Sequence, residues 1–105
     1  MSRTKARWAP IAEEDVEAIY KWIAHRDGRR QTAKKITAEI RQKCDEYADA
    51  FAAGSVIGSA RPDLGEGHRV FTHKRWVVVF RPIEDGIEVL RVLDGSRDFP
   101  RLFGD

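Results

Sequence analysis

The chain has 105 residues, the size of one ordinary domain, so we expect residues 1–105 to form a single domain. Its 19 basic and 17 acidic residues nearly balance, which argues against indiscriminate binding to nucleic acid. A single cysteine, Cys44, excludes a disulfide within the chain, and the longest apolar run, Trp76 to Phe80, is too short to cross a membrane. No secretory signal is recognisable, so we expect a cytoplasmic protein.

The first half of the chain predicts one short strand and two helices. Residues 4–8 alternate between apolar and charged side chains, as in a strand with one buried face. Apolar residues at helical spacing then run over about 10–26, between Pro10, which suits a first helical turn, and Gly28. A second two-faced helix runs from about residue 30 to residue 54. The short connection predicts an antiparallel helical hairpin.

In the second half the apolar period changes to two, which indicates strands. A glycine-rich loop at 54–68 precedes predicted strands at 69–73, 75–81 and 87–93. The middle strand is apolar at every position from 76 to 80, as expected of a central strand covered on both faces. The order β-α-α-β-β-β predicts an α+β domain with the helical hairpin packed on one face of an antiparallel sheet.

Two-residue turns at Lys74-Arg75 and Asp85-Gly86 would fix the strand register. One sheet face then mixes large aromatic residues with arginines, and the other is aliphatic. We expect the aliphatic face to lie under the helices and the mixed face to be a binding surface. The mixed face carries Arg69, Phe71, Trp76, Val78, Phe80, Arg91 and Leu93, and the aliphatic face carries Val70, Val77, Val79, Leu90 and Val92. A slip of one residue in either turn would scramble this assignment.

Few residues in the chain suggest catalysis. The histidines His25, His68 and His73 have no second histidine or cysteine at metal-ligand spacing, so we expect no metal and no cofactor. His68 and His73 would face opposite ways in an extended strand and do not form an acid–base pair. Cys44 lies on the apolar stripe of the second helix, which is typical of a core residue. The segment Arg61–Leu64 predicts a turn that holds its loop against the domain.

Several segments resemble the toxins of bacterial toxin–antitoxin pairs. Residues 61–69, Arg-Pro-Asp-Leu-Gly-Glu-Gly-His-Arg, resemble the RP-(D/E)-L-x-x-G-x-R stretch of ParE-type toxins, and residues 76–82 and 85–98 are also similar to that family. The first helix looks like the opening of the family at Ala12, Asp15, Ile19, Trp22 and Ile23. The resemblance covers essentially the whole chain and implies the fold of the RelE/ParE superfamily.

The resemblance implies two alternative functions. Toxins of the ParE branch inhibit DNA gyrase by direct binding and are not known as nucleases, whereas toxins of the RelE branch cleave messenger RNA at the ribosome. Several RelE-like toxins use a tyrosine in the C-terminal tail, where this chain has Phe103, which cannot transfer a proton. RelE-like sheets also carry several lysines, where this one has only Lys74, so the ParE branch is favoured. A degenerate toxin that binds a partner without arresting growth is a further reading.

Each function implies its own site residues. For contact with gyrase we expect Arg69, Arg91, Arg97 and Arg101; a nuclease would instead use Arg69, Arg91 and Arg97 on phosphate, with His68 or His73 as base. A cognate antitoxin, ParD-like or similar, would add an apolar, partly acidic helix or strand on Phe71, Trp76, Phe80 and Arg81. We expect no membrane association and no sequence-specific DNA binding by the toxin alone.

Overall fold

Two helices of the first half form one hairpin. The computed structural model describes residues 4–96, apart from the side chain of Asp27, with helix α1 at Pro10–Asp27 and helix α2 at Arg30–Ala52. Proline suits the start of α1 because its missing N–H would have no partner in a first turn. Gly28 ends α1 in the left-handed conformation, with φ 61°. Both predicted helices are therefore confirmed. Neither is both long and apolar enough to span a bilayer.

The strands form one mixed sheet beneath the hairpin. They are β1 (Arg7–Trp8), β2 (Ser59–Ala60), β3 (Arg69–His73), β4 (Trp76–Ile83) and β5 (Gly86–Asp94), in the order β1-β5-β4-β3-β2. The predicted α+β domain with a helical hairpin on one sheet face is confirmed. Two details differ. β1 pairs with β5 in parallel, so the sheet is mixed rather than antiparallel as predicted. β2, which pairs with β3, lies within the segment predicted to be a loop.

The predicted register holds for one hairpin and fails for the other. Between β3 and β4, Phe71 lies opposite Val78, as expected from a turn at Lys74-Arg75. Between β4 and β5, Ile83 pairs with Gly86, so the turn is at Glu84-Asp85 rather than at Asp85-Gly86. A bulge follows: Val79 pairs with Arg91 and Phe80 with Val89. Leu90 is thus the extra residue of a β-bulge.

The helices cover the opposite face from the one predicted. The face beneath them, called the helix face here, is made by Phe71, Trp76, Val78, Phe80, Ile87, Val89 and Val92, all at most 7% exposed. Tyr47 of α2 stacks on Phe71 with ring centroids 4.1 Å apart, and Phe51 meets Phe80 edge-on at 5.8 Å. The prediction of an exposed aromatic surface is wrong, because burying aromatic rings removes more apolar area from water than burying valines.

The other side of the sheet carries a smaller buried cluster, in which Val79 and Leu93 are 0% and 4% exposed. This open face is made by Val70, Val77, Val79, Leu90 and Leu93, and Leu64 packs on it from the loop before β3. Leu64 is 4% exposed, and its N–H donates to the carbonyl of Arg61 at 3.0 Å. The predicted turn at Arg61–Leu64 is thus confirmed, as is the core position of Cys44, where burial raises the pKa of the thiol.

Candidate functional site

Arg91 joins the edge of the sheet to α1. Its Nε donates to Oδ2 of Asp15 at 2.8 Å and its Nη2 to Oδ1 at 3.1 Å. Oδ2 of Asp15 also accepts the backbone N–H of Val92 at 2.9 Å. That N–H lies beyond the end of β1, so the carboxylate takes the place of a strand partner. These hydrogen bonds to Asp15 raise the pKa of Arg91. Arg91, a predicted gyrase contact, is therefore engaged in an internal ion pair with Asp15.

Arg69 is also held by internal contacts, at the other side of the sheet. Its Nε donates to the carbonyl of Ile57 at 3.1 Å and its Nη2 to that of Gly58 at 2.7 Å. Arg69 thereby fixes the segment that leads into β2. Gly58 has φ 83°, and a Cβ there would meet the Phe80 ring and the Val70 carbonyl at 3.0 Å, so this close approach requires glycine.

The two histidines of the predicted nuclease site lie at opposite ends of β3. The Nδ1 of His68 is 3.1 Å from the carbonyl oxygen of Glu66 within its own loop. The Nε2 of His73 is 2.9 Å from Oε1 of Glu39 on α2, a bond that lowers the pKa of Glu39. Five residues of extended chain separate the two Cα atoms by about 16 Å. They cannot act on one phosphate together.

A cleft between α1 and the ends of β4 and β5 collects aromatic and charged side chains. Its volume is about 440 Å³. Trp22 of α1 is 37% exposed and meets Trp76 edge-on, with ring centroids 6.0 Å apart. The guanidinium carbons of Arg26 and Arg75 lie 5.0 and 4.9 Å from the Trp22 ring centroid, within cation–π distance. Arg75 also donates from Nε to Asp94 at 3.1 Å. The lining carries three arginines (Arg26, Arg75, Arg91) against two carboxylates (Asp15, Asp94).

The remaining predicted site residues are scattered. Phe71 and Phe80 are core residues, and Trp76, 6% exposed, lines the cleft. Arg81 is exposed, and its Nε donates to Glu88 on the adjacent strand at 2.8 Å. Arg97 and Arg101 lie outside the described residues. The structure therefore brings Arg91 and Trp76 to one cleft and leaves Arg69, Arg81 and the two histidines elsewhere.

Comparison with known proteins decides the family. The family described as "ParE toxin of type II toxin-antitoxin system, parDE" matches residues 6–99. The chain belongs to the ParE toxin family. Among solved structures, "Chromosomal ParDE TA system from P. aeruginosa" matches with a TM-score of 0.67 and 23% identity, over 88% of this chain and 96% of that chain. The comparison with curated proteins gives no match.

In this ParE-family chain, sequence reasoning missed the members of the cleft contributed by α1 and by the β3–β4 turn. Trp22 and Arg26 are four residues apart on one helix face, a spacing that could have suggested the stack. Arg75 joins them only through the tertiary fold. Within residues 4–96, no group of three or more His, Cys, Asp or Glu side chains could hold a metal ion.

Proposed function

We propose that this ParE-family toxin acts in the cytoplasm, inhibits DNA gyrase by direct binding and is neutralised by a cognate antitoxin. Two findings support the proposal. The family match covers most of the chain, and the family is described as the toxin of a type II toxin–antitoxin system. The fold is similar to that of a protein from a ParDE system.

The separation of the predicted nuclease groups favours target binding over RNA cleavage. Acid–base cleavage needs a donor and an acceptor within hydrogen-bond reach of one reacting phosphate. His73 is bonded to α2, whereas His68 lies in its own loop at the far end of β3. Arg69 and Arg91 are anchored at different sides of the sheet. Among residues 4–96, these predicted nuclease groups do not converge.

The cleft at Trp22 is the best surface for target contact. Of the predicted gyrase contacts that are described, Arg91 lines this cleft, with a fifth of its side chain still exposed. Arg69 instead donates hydrogen bonds to the segment before β2. A partly exposed tryptophan flanked by arginines matches the composition of binding hot spots. Arg97 and Arg101 stay predictions. For the antitoxin, the predicted contacts that reach the surface are Arg81 and the edge of Trp76.

The deciding experiment runs two assays on one purified sample. Gyrase supercoiling and cleavage are measured beside cleavage of a translated message. We expect gyrase inhibition at micromolar toxin and no new cuts in the message. Cuts without an effect on gyrase would establish the RNA-cleaving alternative and make His68 and His73 the first residues to replace. Inactivity in both assays, with normal growth on expression, would indicate a binding protein without toxicity.

A matched pair of variants on α1 tests the surface. Trp22→Ala removes the aromatic centre of the cleft, and we expect gyrase inhibition to weaken at least tenfold. Ile11→Ala is the control, because Ile11 is an exposed apolar residue of the same helix, 46% exposed and outside the cleft lining. Equal inhibition by both variants would place the target contact elsewhere.

Neutralisation is tested in cells. Expression of the toxin alone should arrest growth, and co-expression of its antitoxin should restore it. Arg81→Ala should weaken the isolated complex, while Lys21→Ala, an exposed residue of α1, should leave it unchanged. An unchanged complex with Arg81→Ala would remove Arg81 from the antitoxin contact.

A further inference from the structure

The loop end of the helical hairpin holds a local surplus of positive charge. Residues 21–35 contain six basic residues and one acidic residue, whereas the whole chain has a formal charge of only +2. The near balance of the chain therefore hides a strongly basic segment. Charges at physiological salt act over about 8 Å, so a partner close to this end is attracted by the local charge rather than by the net charge.

Three elements bring these charges to one end of the molecule. A shallow recess of about 230 Å³ is lined jointly by Trp22 of α1, Ile36 of α2 and Lys74 of the β3–β4 turn, so the turn lies against the loop end of the hairpin. The surface that they surround, called the basic end here, is defined by exposed cationic side chains. They are Arg26, Arg29, Arg30, Lys34, Lys35 and Lys74.

A second recess opens between the two helices beside the basic end. Its volume is about 330 Å³, and it is lined by Tyr20, Lys21, Ala24, His25, Arg30 and Lys34. The described residues that line it include no carboxylate. Lys21 is paired with Glu17 at 3.1 Å, which leaves Arg30 and Lys34 as the cations free to meet an anion there.

The cations of the basic end differ from most arginines of the sheet in their lack of acidic partners. Arg75, Arg81 and Arg91 are each paired with a carboxylate of the same domain. Within the part of the chain that the structure describes, no member of the basic end forms an ion pair with a carboxylate. Their charge is therefore available to an external anion.

The start of α2 carries this charge against its own local stability. The N-terminal end of a helix is partly positive, so acidic residues stabilise a first turn and basic residues destabilise it. The first turn of α2 follows Arg29, starts with Arg30, contains no acidic residue and receives no side-chain cap. In α1 the first turn contains Glu13 instead. A local choice that opposes stability is typical of a functional surface.

The composition of the basic end favours phosphate groups over a protein as its partner. The centres of protein interfaces are rich in aromatic residues and poor in lysine. Half of the six cations of the basic end are lysines, and only one large exposed apolar residue, Trp22, lies beside it. The other exposed ones, Ile11 and Val56, lie at the opposite end of the hairpin. Separate cations on long stems are the usual contacts of a nucleic-acid backbone.

We propose that the basic end binds the phosphate backbone of nucleic acid without reading its sequence. Arg30 and Lys34, which share the recess between the helices, hold one phosphate, and the other members contact its neighbours. This contact goes beyond the proposed function and does not depend on gyrase. It also agrees with the expectation that the toxin alone binds no specific DNA sequence.

Fluorescence anisotropy of labelled DNA duplexes of about 20 base pairs tests the contact with the full-length toxin. We expect the Kd to rise at least about tenfold between about 50 and 200 mM salt, because binding releases counterions from the phosphates. Two duplexes of unrelated sequence should bind equally well. An absence of binding at about 50 mM salt, or affinity for one sequence only, would overturn the proposal.

A charge-matched pair of double variants locates the contact. Arg30→Gln with Lys34→Gln should weaken binding about tenfold and lower the salt slope by about 2. Lys5→Gln with Lys43→Gln is the control, because it removes the same charge from exposed positions, and Lys43 lies about 20 Å from Arg30 along α2. We expect the control to weaken binding less than about twofold. Equal losses would mean that net charge alone attracts the DNA, and the proposal would fail.

Two further probes identify the chemistry that the basic end recognises. Polyglutamate of equal total charge represents an acidic polypeptide, and we expect it to bind about fivefold more weakly, because its charges are more widely spaced than those of duplex DNA. Tighter binding of polyglutamate than of DNA would assign the surface to an acidic protein and overturn the proposal. An RNA duplex of the same length distinguishes the two sources of phosphate. Binding equal to that of DNA supports recognition of either backbone, and tighter binding assigns the surface to RNA.

Discussion

The two faces of the sheet differ in what covers them and in the size of their side chains. The helix face contains Phe71, Trp76 and Phe80, and two aromatic rings of α2 pack on it. The open face carries only valines and leucines, and a single leucine packs on it from the described loop. The comparison shows that the largest apolar side chains select the face that the helices cover. Of the arginines predicted on a binding face, Arg69 lies at the start of β3 and Arg91 at the sheet edge beside α1.

The largest effect on stability is expected from removing the aromatic centre of the helix face. Phe80 is fully buried and meets both Tyr47 and Phe51. Phe80→Ala should therefore lower the free energy of unfolding by about 3–5 kcal/mol. Urea denaturation followed by tryptophan fluorescence measures it, with Phe80→Leu as the milder control. A loss below about 1.5 kcal/mol would mean that the aromatic cluster is not the centre of stability.

On the open face the corresponding change is Leu64→Ala. Leu64 is 4% exposed, but its cluster is smaller, so we expect a loss of about 2 kcal/mol, at the low end for buried leucine. Val56→Ala is the matched control, because Val56 is 70% exposed in the loop before β2 and should change stability by less than about 0.5 kcal/mol. A loss at Leu64 equal to that at Phe80 would remove the difference between the two faces.

The ion pair between Asp15 of α1 and Arg91 at the sheet edge should contribute less to stability. Asp15→Asn keeps an oxygen for the N–H of Val92 but leaves the mostly buried side chain of Arg91 without its counter-charge. We expect a loss of about 1–2 kcal/mol in the same denaturation assay. Glu17→Gln breaks an exposed pair with Lys21 and should cost less than about 0.5 kcal/mol. Similar values for the two variants would show that Asp15 is an ordinary surface carboxylate.

The smallest expected effect is pH-dependent and concerns the contact between β3 and α2. The hydrogen bond from His73 lowers the pKa of Glu39 below its ordinary value of 4.5. A carboxyl group with a lowered folded-state pKa stabilises the fold above pH 4.5, and this stability is lost as pH falls through the folded-state pKa. Glu39→Gln should therefore reduce the urea midpoint near neutral pH, and its difference from the wild type should shrink below pH 4.5. A difference that grows with acidity would contradict the assigned contact.

Local signals in the sequence were sufficient for the helices and one hairpin. Pro10 marks the start of α1 and Gly28 its end, because these residues restrict or permit particular backbone angles. Neither signal depends on a distant residue. The β3–β4 hairpin follows its two-residue turn, in which Lys74 adopts φ 56°. Alternation also separated the two sheet faces almost correctly.

The second hairpin and the cleft depend on contacts between distant residues. The bulge at Leu90 lies next to the edge where Asp15, more than 70 residues earlier, binds Arg91 and Val92. No local pattern contains that contact, so the turn at Glu84-Asp85 and the register could not be predicted. For the same reason, alternation could not indicate which face the helices cover. The cleft joins Trp22, Arg75 and Asp94 from three separate elements, and only the folded chain brings them together.

The pairing of the first strand with the last has a consequence for how the toxin is made. Arg7 lies opposite Glu88 and Trp8 opposite Val89, so the edge of the sheet joins residues about 80 positions apart. During synthesis, the helical hairpin can form early from local contacts, whereas β1 has no partner until β5 has been translated. A nascent toxin therefore completes its sheet only after β5, which ends at Asp94, has left the ribosome. This delay gives the cell an interval in which the growing chain lacks its finished surface.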